Sequence, residues 1–259
     1  AFGGIIDNEI WKTIHLGKDS YINTVSPLNI DPLFTNSSWV FYHGLIGFDQ
    51  GYSWNTDLSA TSISNYDLYS VALHEITHAL GFASLIGSNG SSKLGTGFNY
   101  YTRYDLKLKN SANTNTLIGN LGACNSMYNY SFYNTVLTST NCANSVRYVG
   151  SYSVKTYTPN TFNPGSSLSH FHYDSACNTG NFVMNSSIGA GVIRRNYTLI
   201  ERNVLSEIGY TVCPNYVVNS TAPCSFTSTI AGINVAGIND GISNESFTYN
   251  YVIGSAIHL

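Results

Sequence analysis

Apolar residues at Val71, Ala72, Ile76, Ala79 and Leu80 follow the spacing of a helix that is buried around most of its girth. Ser64–Asp67 ahead of them supplies an N-cap and an acidic first turn, and Gly81 behind them suits a C′ position. A helix from about residue 67 to 80 is therefore predicted. A second helical period runs through about 198–208 and stops at Gly209. The other apolar runs are short and bounded by turn residues. Residues 38–42 and 45–48 read as strands joined at His43–Gly44, as do Tyr100–Leu108, 117–122 and 145–157. Glu9–Leu16 reads as a short helix or strand. Residues 83–169 form a long irregular stretch, and 216–259 are polar, Gly-rich and strand-like.

The helix at 67–80 carries chemistry. His74 and His78 lie four residues apart, so on a helix they stack on one face and can bind a single metal ion. Glu75 stands beside the first of them, where a carboxylate can reach a water on that metal. With 7 histidines in 259 residues, this H-E-x-x-H pattern arises by chance in roughly 0.004 chains of such composition.

Catalytic zinc takes three protein ligands and leaves one position for water. The short-spaced extension of the motif would place a third histidine at position 84, which is Ser84. The third ligand must come from elsewhere. His170 and His172, two residues apart, would share one face of a strand. Glu201 and Glu207 on the second helix are rivals, although Glu201 lies far from His78 for a helical glutamate ligand. His43, alone in a turn, reads as solvated.

Only 10% of residues are charged and the net charge is −3. That offers no electrostatic case for nucleic acid, and no apolar run approaches the ~20 residues of a membrane span. The profile fits a secreted, loop-rich, β-containing protein. Five cysteines (Cys124, Cys142, Cys177, Cys213 and Cys224) without a C-x-x-C pair point to disulfides in an oxidising compartment. Cys124 with Cys142 would close a local loop, and Cys213 would pair with Cys224 or Cys177. Of the seven N-x-S/T sequons, Asn185 is expected in a buried turn that leaves no room for a glycan.

His74-Glu75-Ile76-Thr77-His78-Ala79-Leu80-Gly81-Phe82 resembles the active-site helix of leishmanolysin-like metallopeptidases and their secreted bacterial relatives, a branch of the metzincins. In that family an insertion separates the glycine from the third histidine, and a Met-turn follows. Ser167-Leu168-Ser169-His170 and Phe182-Val183-Met184-Asn185 match those features, and Glu207–Tyr210 matches the end of the closing helix. The resemblance implies His170 as third ligand, with His172 the alternative, and Met184 as the floor beneath the metal. It implies an α+β fold of two subdomains. A mixed sheet and the active-site helix make the N-terminal part; the C-terminal part is irregular, with the Met-turn near 184 and the closing helix. The catalytic domain would span 1–215, with the insertion at 83–169. Residues 216–259 would be a tail or the start of an appended β module.

The expected activity is that of a secreted, monomeric zinc endopeptidase acting on proteins or peptides. One zinc ion would be held by His74, His78 and His170, with Glu75 as general base. The sequence leaves additional calcium sites open. The competing reading is a non-enzymatic binding or adhesion module whose metal is structural, closed by a fourth ligand such as His172 or Asp174.

Overall fold

A computed structural model of the protein describes residues 2–16, 46–94, 98–110, 112, 114–120, 126–128, 136–142, 145–173, 177, 180–212, 224–230, 233–239 and 256–257. The chain opens on strand β1 (Phe2–Ile5) and helix α1 (Glu9–Leu16). Strands β2 (Trp54–Asn55) and β3 (Tyr66–Asp67) pair in parallel immediately before helix α2 (Leu68–Ala79). Next come β4 (Phe98–Tyr101), parallel to β1, then β5 (Leu108–Asn110), and the antiparallel pair β6 (Ile118–Asn120) and β7 (Ser126–Tyr128). Strands β8 (Val146–Val149) and β9 (Ser153–Lys155) form a hairpin, and β5 completes an antiparallel sheet in the order β5-β8-β9. Helix α3 (Leu199–Glu207) leads into β10 (Thr211–Val212). Beyond it lie the hairpin of β11 (Cys224–Ile230) and β12 (Ile233–Asn239), and β13 (Ala256–Ile257), parallel to β10.

The described strands make small sheets, each of a single sense. The strand expected over Tyr100–Leu108 is interrupted. Asp105 Oδ2 accepts from the Thr102 and Leu85 backbone N–H groups (2.9 and 3.0 Å), and residues Asp105–Lys107 coil into a 3-10 turn. Ile46–Phe48 pairs with no described strand, and residues 38–42 and His43 lie outside the described residues. The Cys124–Cys142 pairing is also overturned: Cys142 bonds Cys177, with Cα atoms 5.2 Å apart. Cys124 and Cys213 lie outside the described residues.

Both long helices end alike. In α2 the Gly81 N–H reaches the His78 carbonyl (2.9 Å) and the Phe82 N–H reaches Thr77 (3.2 Å), with Gly81 at φ +101°. This Schellman turn needs a left-handed residue, which glycine adopts without a Cβ clash. In α3 Gly209 and Tyr210 repeat it onto Ser206 and Leu205, both at 3.0 Å. Tyr210 Oη then donates to the Leu80 carbonyl (2.7 Å), so the two helix ends are joined. Asn8 ties in α1: its Oδ1 caps that helix by accepting from the Trp11 N–H (2.7 Å), while its Nδ2 donates to Ala79 O (2.8 Å).

Five buried aromatic rings organise the core. Phe82 packs on Tyr104 (4.9 Å) and Phe171 (5.2 Å), Phe171 on Phe182 (4.9 Å), and Tyr104 on Tyr148 (5.0 Å). Such contacts contribute about 0.5–1.5 kcal/mol each beyond the area they bury. Phe82 follows the α2 turn, Phe171 follows His170, and Phe182 opens the turn containing Met184. The core thereby binds together three pieces of chain that are distant in sequence.

Candidate metal centre

Leu168–His172 lies between two backbone partners. On one side Leu168 N–H donates to Tyr157 O (2.9 Å), Tyr157 N–H to His170 O (2.7 Å) and His172 N–H to Lys155 O (3.0 Å). On the other, Phe171 N–H donates to Met184 O (2.7 Å). Preceding it, Asn163–Ser169 coils on itself, with Leu168 at φ +70°. The segment therefore enters the site at a defined register.

There, three ring nitrogens converge. His74 Nε2 is 3.1 Å from His78 Nε2 and 3.1 Å from His170 Nε2, and the last pair is 3.0 Å apart. Each ring is fixed from behind by a backbone carbonyl that accepts its Nδ1–H at 2.8 Å: Val183 for His74, Phe82 for His78 and Ser166 for His170. That tautomer leaves every Nε2 lone pair facing the common centre. Burial, and then the neighbouring histidines, pushes His78 down to about 4 and His170 to about 3, so both are neutral, as ligands must be.

Three ring nitrogens converging on one point are suited to holding a cation between them. Tetrahedral zinc with Zn–N bonds of about 2.0–2.1 Å would set its nitrogens about 3.3–3.4 Å apart. The observed triangle is within a few tenths of an ångström of that edge, and the three histidines are placed where they can bind a metal ion. Among the described residues no second cluster of three His, Cys, Asp or Glu side chains has ligand spacing.

His172 is buried but outside this group, stacked on Tyr173 (5.4 Å). Glu201 and Glu207 are also engaged elsewhere. Glu201 accepts from the Met184 and Thr198 N–H groups (2.8 Å each), and Glu207 from Tyr148 Oη (3.0 Å) and Ser151 N–H (2.5 Å). Ser84, at the position of the short-spaced third histidine, donates its N–H to Oγ of Ser169, the residue before His170 (3.0 Å). Asp174 lies outside the described residues. Met184 is fully buried in the turn Phe182–Asn185, and Asn185 is 4% exposed, too enclosed for a glycan. Glu75 is half-buried and makes no hydrogen bond with any described residue.

Sequence reasoning missed the three carbonyls that orient the imidazoles, since backbone atoms leave no residue signature. It also missed Arg195, whose Nη2 and Nε grip Asp67 Oδ1 and Oδ2 (2.5 and 2.9 Å) at the N-cap of α2. An apolar cleft of about 260 Å³ has His78, Leu85 and Leu94 on its wall. A cavity of about 400 Å³ lies at the other end of α2, beside Arg194 and Arg195, away from the ring nitrogens.

No protein-family model, characterised protein or solved structure matches the chain. The site stands on its own geometry. Among the described residues no helix is long and apolar enough to cross a membrane. Together with the Cys142–Cys177 disulfide, that is compatible with an extracellular protein.

Proposed function

We propose that this protein is a secreted, monomeric zinc endopeptidase of the metzincin type that hydrolyses peptide bonds of protein or peptide substrates. The observation that carries the reading is the arrival of His170 Nε2, 92 residues beyond His78, within 3.1 Å of both helix histidines. Zinc bound by these three residues would acidify water and polarise the scissile carbonyl. Glu75 is the general base: a half-buried carboxylate beside the first ligand, held by no described partner. It takes a proton from the attacking water and delivers it to the leaving amine nitrogen. Phe82, Val183 and Ser166 keep the Nδ1 protons in place throughout.

The rival reading, a structural metal in a binding module, requires a fourth protein ligand. His172 is not in the group of ligating side chains, and that reading leaves Glu75 without a role. Cleavage of casein by the zinc-loaded protein, blocked by a chelator, separates the two. Glu75→Ala should lose at least 100-fold in activity and still bind one equivalent of zinc. Near wild-type cleavage by that variant would end the proposal.

A further inference from the structure

Beyond its last turn α2 continues into a tight hairpin. Lys93 N–H donates to Leu85 O (2.7 Å), Gly87 N–H to Ser91 O (2.7 Å), and Ile86 bridges Ser92. The hairpin returns Lys93 to the segment that follows α2, where its Nζ donates to Ser84 O at 3.0 Å. Ser84 is in turn bonded through its N–H to Ser169, the neighbour of His170. The ammonium group is therefore two hydrogen bonds and one peptide link from the third ligand.

Among the described residues this ammonium contacts one neutral carbonyl and, at 5.8 Å, the face of Phe162. The carboxylate whose charge acts on it, Asp105, forms no ion pair with it within 4 Å; its Oδ2 accepts from the Leu85 and Thr102 N–H groups, and its buried Oδ1 has no hydrogen-bond partner among the described residues. Partial burial penalises the charge, yet among the described residues only one acceptor, the Ser84 carbonyl, meets its three N–H donors. A partly desolvated cation joined by two hydrogen bonds to the neighbour of a candidate metal ligand is suited to an incoming anion.

We propose that Lys93 is the anion-recognition group of the site and pairs with a substrate carboxylate close to the bond that is cut. The carboxylate belongs either to an acidic side chain or to the peptide's C-terminus, and the inference rests on the peptidase reading above.

Four matched fluorogenic peptides test it, carrying Glu or Gln beside the cleavage site and ending in a free acid or an amide. The zinc-loaded wild type should favour a carboxylate-bearing member by about tenfold in kcat/KM. A Glu-over-Gln preference identifies the side chain, and an acid-over-amide preference the terminus. Lys93→Met should shrink the ratio to within twofold, Lys93→Arg should keep it, and Lys93→Glu should invert it. Binding gives a readout independent of turnover. Fluorescein-labelled versions should bind the zinc-loaded Glu75→Gln protein with the same preference, which Lys93→Met in that background abolishes. Zinc affinity must hold in Lys93→Met, because a merely structural lysine would loosen the ligands when removed. Cleavage with equal rates for all four peptides, or a preference that survives Lys93→Met, overturns this inference and leaves the peptidase reading standing. Selective binding without cleavage of any peptide does the reverse.

Discussion

His74 Nδ1 donates to the carbonyl of Val183 at 2.8 Å, across 109 residues of chain. The turn holding Met184 thus sets the orientation of the first ligand through a backbone atom. The same turn is held by α3, where Glu201 Oε1 accepts the Met184 N–H at 2.8 Å. Glu201 Oε2 meanwhile closes a capping box on Thr198. A line of hydrogen bonds therefore connects α3 to the imidazole of His74.

Glu201→Ala should break that line. It leaves the buried Met184 N–H unsatisfied and removes the capping box, at about 2–3 kcal/mol together. Loss of orientation at Val183 should weaken zinc binding by about 10–100-fold. Urea denaturation and competitive zinc titration measure the two effects. Unchanged zinc affinity would show that His74 is oriented independently of α3.

Glu201 also predicts a pH effect. Burial raises its carboxyl from 4.5 to about 7 in the fold. A raised acid favours the folded state below its unfolded pKa, and that contribution is lost as pH climbs from about 4.5 to 7. Stability of Glu201→Gln, compared with wild type across that window, should lack this decline. Parallel curves would contradict the assignment.

His170→Ala and His172→Ala should part company. The first removes a member of the 3.0–3.1 Å triangle and should cost at least 100-fold in zinc affinity. The second removes a ring stacked on Tyr173 and should keep one equivalent of zinc, with a stability loss of about 1–2 kcal/mol. Metal analysis after dialysis decides between them, and the opposite result would move the third ligand to 172.

Asp67 should govern the acid limb of unfolding at the start of α2. Burial alone would raise its carboxyl, but hydrogen bonds from Arg195, Ser70 and Asn55 outweigh it and hold the group at about 2. A depressed carboxyl adds stability above its unfolded value, lost as pH falls from about 4 to 2. With solvent screening, this amounts to about 1 kcal/mol. Arg195→Met should flatten that limb and lower stability at pH 7 by about 2–4 kcal/mol, because the N-cap carboxylate is left buried and unpaired. Thermal unfolding from pH 2 to 7 provides the check.

The Cys142–Cys177 bond spans 35 residues of sequence and includes the ligand-bearing segment. Its loss in Cys142→Ser/Cys177→Ser should cost roughly 3–4 kcal/mol of stability through loop entropy. Zinc should still bind, since the three imidazoles are held by carbonyls and not by the disulfide. Denaturant unfolding and metal content, measured on one preparation, test both halves.

Local rules were enough to make the helices legible. The period of Val71–Leu80, the polar cap residues at 64–67 and Gly81 act locally, so the sequence alone determined α2 to within a residue or two, while the structure makes Asp67 the N-cap itself and leaves the first turn without an acidic residue. The helical period through 198–208 and Gly209 determined α3 in the same way. The pair His74 and His78 was likewise readable, because helical geometry alone puts them on one face. What only tertiary structure decided was long-range. Choosing His170 over His172 depended on backbone pairing of 168–172 with 155–157 and Met184, which no local pattern encodes. The break at Asp105–Lys107 came from a carboxylate capturing N–H groups some twenty residues away in one case, and the disulfide from proximity established after folding. Local propensity specifies an element; the meeting of two elements is specified by what the whole core buries.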